Sequence, residues 1–328
     1  MYSWGSNTID WKKPGKYKYD SARSPYLDKL ADASAKKGGR TYLTRSEPDM
    51  KLVGTKGKEI SSESENPVII AVDVTGSMAS WPKEIFDRLP LLYQTISQYR
   101  PDLEICFAAI GDANSDSYPL QVNDFATGVN LEDKLNAIYP EGGGGGQVSE
   151  SYELFGHFIN DHCKLPKAKN PFLFIYGDEK FYETIDPDQV KHYIGDKLQS
   201  GLESKAMWSS LLQKFNLFYL HKPYGDEDEP SITKEVGKYW ANAIGPQRVI
   251  ELPSMERAVD VAMAILAKYY GQFGDFETNL SARQDDDQMI LVADSVKLLP
   301  NDPDGPITRA SRLLGSGSAR KSKRLDRP

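Results

Sequence analysis

From Pro67 onward, short runs that are apolar at every position alternate with segments that are apolar on one face only. "VIIAV" (68–72), "EICFAAI" (104–110), "FLFIY" (172–176), "FNLFYL" (215–220) and "RVIEL" (248–252) read as strands buried on both faces, as in a mainly parallel sheet. Ile85, Leu89, Leu92, Ile96 and Tyr99 lay one apolar stripe on a helix over 82–99, with Pro90 predicting a kink. Leu154, Phe155, Phe158 and Ile159 predict a second helix after Ser149. Val259, Ala262, Ile265, Leu266 and Tyr269 predict a last one, with Ser254 as its N-cap. "YPLQVNDFA" (118–126) follows the second strand after a short connection and predicts an antiparallel edge strand. The expected fold is therefore α/β, a doubly wound, mainly parallel, Rossmann-like sheet with one antiparallel edge strand.

The flanks lack this alternation. Residues 1–64 are rich in Lys, Gly, Ser, Tyr and Glu, and read as an extension that is disordered or draped on the domain, with Tyr and Trp residues as docking anchors. The domain itself is expected over 65–273, and 274–328 reads as a polar segment with one short element near "MILVADSVKLL" and a basic tail. From Gly305 the tail has seven basic residues against one acid, Asp326, so it carries +6 of a chain whose net charge is −7, and the rest carries −13.

No run approaches a membrane span and the first twenty residues lack the apolar core of a signal peptide, which predicts a cytoplasmic protein. Two cysteines, Cys106 and Cys163, provide neither a disulfide framework nor a cysteine zinc site, and read as buried, reduced thiols. The four histidines are scattered and suggest no catalytic arrangement.

The chemistry gathers at strand ends, where open parallel sheets bind ligands. "DVTGSM" closes the first strand with Asp73, Thr75 and Ser77, hard oxygen donors of the kind Mg²⁺ takes, while Gly76 permits a tight turn. Taken alone, Asp73 reads first as a turn former and Ser77 as a cap for the next helix, an order that the companion motifs reverse. "FAAIGDANSD", "NDFA", "GGGGGQVSESYELF", "FLFIYGDE" and "ELPSMERAVDVAMAILAKYYG" follow in order. Together with "DVTGSM" this series resembles the von Willebrand factor type A domains of the bacterial and phage cytosolic branch, including stand-alone and alpha-kinase-associated members.

That resemblance implies a metal-ion-dependent adhesion site holding Mg²⁺ or Mn²⁺. Asp73, Thr75 and Ser77 fall on its first loop, and Asp178 on its third, where it holds a water ligand. The second-loop position is Gln147, a weaker ligand than the family's Thr or Asp, with Ser149 and Glu150 as substitutes. Asp112 reads as a loop-structuring acid ahead of a ligand. The five glycines at 142–146 read as a flexible loop or as a place of close backbone approach.

The resemblance implies a non-enzymatic protein-binding module whose cation takes a carboxylate from a partner, with a MoxR-type AAA+ ATPase or its client as the expected partner class. The alternative is nucleic-acid or acidic-surface binding through the basic tail. A metal-dependent phosphatase ranks lower, because Thr75 stands where a haloacid-dehalogenase-type enzyme needs its acid/base aspartate. "GSGSARKS" (315–322) is no phosphate loop, since Arg320 replaces a glycine and no strand precedes it.

Overall fold

The structure, a computed structural model, describes residues 47–300 except Val129, Asp228, Ala282 and Arg283. Six strands form the central sheet: β1 (Val68–Asp73), β2 (Ile105–Ile110), β3 (Leu120–Val122), β4 (Phe172–Gly177), β5 (Asn216–His221) and β6 (Val249–Glu251). Their order is β6-β5-β4-β1-β2-β3, all parallel except β3, which runs antiparallel to β2 with Ala108 opposite Val122. The fold is the expected α/β sheet with an antiparallel edge strand.

Eight helices are used below: α1 (Trp81–Ser97), α2 (Asn130–Asn136), α3 (Tyr152–His162), α4 (Ser204–Lys214), α5 (Pro230–Ile244), α6 (Ala258–Tyr269), α7 (Phe273–Ser281) and α8 (Asp286–Ser295). Successive residues of a strand point to opposite faces, so the sheet divides the core in two. Val68, Ile70, Val72, Phe107, Phe174 and Phe218 pack under α1, α2, α6, α7 and α8. Ile69, Ala71, Ala108, Leu173, Ile175 and Tyr219 pack under α3, α4 and α5. Every residue of β1, β2, β4 and β5 is buried, which explains their uninterrupted apolar text.

Three local features depart from the sequence reading. Ser254 caps no α-helix: a single turn, Met255–Arg257, intervenes and α6 starts at Ala258 with Arg257 at its N-cap. The Ser254 hydroxyl is directed instead to the Glu256 carboxylate. The polar stretch after residue 273 holds two helices, α7 and α8, which bury Phe276, Leu280 and Val292 against α6. Its acids are a helix start: Asp285 accepts from Gln288 N at 2.9 Å, and Asp286 and Asp287 face the positive end of the helix dipole. Helices α4 and α5 carry their apolar contacts on few but large residues, Met207, Trp208 and Leu211 on one and Val236, Trp240 and Ile244 on the other.

Residues 47–64 lie on the body, with Ile60–Ser61 paired in parallel to Cys163–Lys164 and Val53 buried. Cys106 is buried and Cys163 half-buried, both as free thiols. Residues 1–46 and the basic tail fall outside the described residues, so the docking anchors and the tail reading lie there too. Among the described residues, no helix is long and apolar enough to cross a membrane.

Candidate functional site

The strand order reverses direction between β1 and β4: the chain winds from β1 outward through β2 and β3, then returns to β4 and winds the other way. A crevice opens at the carboxyl ends of strands flanking such a switch point. Asp73 ends β1, and Asp178 and Glu179 directly follow β4.

The first loop turns through a 3₁₀ turn at Gly76–Met78. Asp73 Oδ1 accepts from Thr75 N at 2.9 Å and Thr75 Oγ1 at 2.6 Å, and its Oδ2 accepts from the Tyr152 hydroxyl of α3. Thr75 Oγ1 lies 3.2 Å from Ser77 Oγ, which donates to Asp178 Oδ1 at 3.0 Å. Asp178 Oδ2 accepts from Lys222 Nζ at 3.1 Å. The four residues expected from the first and third loops are therefore brought together in one continuous network.

The second loop arrives differently from expectation. Gln147 is exposed. Ser149 is half-buried and its hydroxyl donates to Val148 O at 2.7 Å. Glu150 is the residue that turns inward, because Ser149–Glu150 pairs in parallel with Lys180–Phe181 just past Glu179. Glu150 is 2% and Glu179 3% exposed. Asp112 is held as a loop-structuring acid, its Oδ1 accepting from Asn114 N at 3.1 Å, Asn114 Nδ2 at 3.0 Å and the Tyr182 hydroxyl at 3.2 Å.

The glycine run makes a close backbone approach. Gly76 N donates to Gly143 O at 2.6 Å and Gly142 N to Val74 O at 2.9 Å, which lays the run along the first loop. A Cβ on Gly143 would stand 2.0 Å from Asp116 Oδ1, the oxygen that accepts from Gly144 N at 2.7 Å. Gly177 has the same role on the other side, since a Cβ there would meet the Tyr152 hydroxyl at 2.1 Å and block its reach to Asp73.

Glu179, Lys222 and Tyr152 are the functional candidates that sequence reasoning did not single out. Glu179 and Lys222 each follow a buried strand, in "IYGDEK" and "LHKP", and the strand-end rule that marked Asp73 marks them too. Tyr152 gave no such signal, because its reach to Asp73 depends on how α3 packs. The Glu179 carbonyl is fixed by Trp240 Nε1 at 2.8 Å and the Tyr219 hydroxyl at 3.0 Å, with the two rings stacked at 4.1 Å.

Electrostatically the site has too much negative charge for its donors. Burial, then the charge of Asp178, pushes Asp73 up to about 7 against the hydrogen bonds of Thr75 and Tyr152. Burial and the charges of Asp73 and Glu179 push Glu150 up to about 11, and burial with Asp73 and Asp178 pushes Glu179 up to about 8. Asp178 is raised by burial, with Lys222 pulling against it. Glu150 and Glu179 are buried against each other: Glu150, held protonated, and the Ser77 hydroxyl both hydrogen-bond to the Glu179 carboxylate, and with both acids ionised Oε2 of each would have no donor.

The oxygen donors gathered here, the hydroxyls of Thr75 and Ser77 and the buried acids Asp73, Asp178, Glu150 and Glu179, are of the hard kind that Mg²⁺ or Mn²⁺ takes. The donor set is mixed, carboxylates with hydroxyls. Among the described residues no group of three or more His, Cys, Asp or Glu side chains is arranged to hold a metal ion. The histidines stay away from the site except His221, which precedes Lys222. His157 and His162 face Asp196 at 3.5 and 2.7 Å.

No family model and no curated protein matches the chain. Among solved structures, similarity is found to the pilus adhesin SpaC of Lactobacillus rhamnosus GG, with TM-score 0.45, 10% identity and coverage of 67% of this chain and 32% of that one. Its open conformation gives TM-score 0.45, 11% identity and coverage of 68% and 31%. Proximal thread matrix protein 1 of the mussel byssus gives TM-score 0.42, 10% identity and coverage of 63% and 48%. The chain thus spans about a third of the adhesin's length and about half of the matrix protein's.

Proposed function

We propose that the chain is a non-enzymatic protein-binding module of the von Willebrand factor A type, engaging an acidic side chain of its partner through a divalent cation. The observation that carries this reading is the crowding of two buried acids, Glu150 and Glu179, on each other beside the Asp73–Thr75–Ser77–Asp178 network. Crowded buried acids are held in the protonated form, and a divalent cation among them would favour the ionised one.

Asp73, Thr75 and Ser77, with Asp178 and Glu150 drawn in from the other two loops, would hold the ion, and Mg²⁺ or Mn²⁺ would supply a positive centre for a partner carboxylate. The chain's own residues prepare that centre. Tyr152 and Thr75 orient Asp73, and Trp240 with Tyr219 anchors the third loop. Exposed Gly76, Ala79 and Ser80, with the glycine run opposite Gly76, leave an entrance without bulky side chains. A MoxR-type AAA+ ATPase or its client is the partner class that this reading favours.

The test is retention of a protein from native extract by the parent chain and by Asp73→Asn, in Mg²⁺ and in chelator. The expected outcome is a partner retained only by the parent and only with metal. Retention that ignores both chelator and substitution contradicts the reading.

A further inference from the structure

Lys222 directly follows β5 at the carboxyl end of the sheet, and both it and Asp178 have side chains with 0% exposure. Its Nζ lies 3.1 Å from Asp178 Oδ2, donates to Pro223 O at 3.0 Å, and stands 5.8 Å from the centre of the Trp81 ring. An ammonium removed from water needs such partners, and a carboxylate with no exposure needs such a cation. The pair also begins a polar chain that crosses the site: Lys222 to Asp178, Asp178 to Ser77, Ser77 to Thr75, Thr75 to Asp73, and Asp73 to Tyr152 of α3. It links the ends of β5, β4 and β1 to the start of one helix.

We propose that Lys222 is a resident counter-cation of the site, which keeps the loops assembled without a divalent ion and sets how strongly such an ion is drawn to Asp178. Only the metal part rests on the function proposed above. Because the ammonium occupies Oδ2, Asp178 offers one oxygen, Oδ1, toward Ser77 and the crevice. The ammonium also repels an incoming cation at short range. Lys222 is therefore a positioning residue that trades metal affinity for a site that stays formed when empty.

Lys222→Met keeps an unbranched apolar stem one atom shorter than the lysine side chain and removes its charge. In chelator its unfolding midpoint falls by about 10 °C relative to the parent, because a buried carboxylate loses its partner. MgCl₂ alone restores most of that loss, and Mg²⁺ affinity from calorimetric titration rises at least tenfold. The double variant Lys222→Met/Asp178→Asn, which has no charge to balance, recovers the midpoint in chelator and no longer responds to MgCl₂ at that position.

A single variant as stable in chelator as the parent overturns the proposal. So does a double variant no more stable than the single one, including the case where neither folds. If the parent itself shows no response to MgCl₂, the cation-dependent function fails, while rescue by the double variant still decides the role of Lys222.

Discussion

The two ends of β1 carry the same residue types in opposite states. At its start, Asp102 accepts from Asn66 Nδ2 at 3.0 and 3.2 Å, Glu65 N at 2.8 Å and Ser64 Oγ at 3.0 Å. These bonds outweigh its burial and hold it below the usual carboxylate range. At its finish, Asp73, Glu150 and Glu179 are pushed above that range, and Glu150 and Glu179 meet acid to acid through a shared hydrogen bond. A carboxylate matched to its donors is structural, whereas acids that outnumber their donors mark a place built for something else. Both ends hold Asp with nearby Ser; what distinguishes them is the balance of donors and acceptors.

The largest way to test this contrast is pH. In the unfolded chain the acids ionise near 4, whereas folded Asp73, Glu179, Glu153 and Glu150 hold protons to about 7, 8, 8 and 11. From about pH 4.5 upward the folded state therefore binds more protons than the unfolded one. Metal-free stability falls as pH rises from about 4.5 through 9, by about 1.4 kcal/mol per pH unit for each proton retained. His221, lowered by burial to about 4, acts in the other direction between about pH 4 and 6.5, and as one proton against several it lessens that slope without reversing it. Urea unfolding across pH 4–9 in chelator thus shows stability greatest at the acid end and a long alkaline limb, and MgCl₂ flattens that limb. An alkaline limb that MgCl₂ leaves unchanged separates these acids from any metal.

Next in size is Glu150→Gln. The amide removes the buried acid, so metal-free stability at pH 8 rises by about 1–3 kcal/mol and the response to MgCl₂ is lost, as read by urea unfolding with and without MgCl₂. A loss of stability instead would make Glu150 a structural acid like Asp102. Tyr152→Phe leaves Asp73 Oδ2 without its donor and costs about 1 kcal/mol in the same assay. The smallest effect is Asp102→Asn. It costs about 1 kcal/mol or less, since the group is exposed and solvent screens it, and the cost is equal with and without MgCl₂. Because the Asp102 value is depressed, that contribution is present above about pH 4 and is lost as pH falls through the folded value.

How much was legible follows from what each feature depends on. The buried strands announce themselves because both faces are covered, and a strand with no polar position can only be central. The first metal loop was legible for a local reason: its three oxygen donors lie within five residues of one strand end. Glu150 was one of several second-loop candidates, and the pairing of Ser149–Glu150 with Lys180–Phe181 is what turns it inward instead of Gln147. Lys222 and Tyr152 reach the site from β5 and α3, so their role depends on long-range packing that no local pattern carries. Helices α7 and α8 were hidden for a different reason, as their few apolar residues face a helix, α6, that is buried on every side.

The central claim is that the acids at the carboxyl end of the sheet form a divalent-cation site. Thermal unfolding of the parent chain at pH 8, with MgCl₂ raised stepwise from chelator to millimolar concentration, tests it most directly. The account predicts a midpoint that climbs with the logarithm of free Mg²⁺ in the parent and stays flat in Glu150→Gln. The same midpoint at every Mg²⁺ concentration in the parent, with MnCl₂ also without effect, would contradict it.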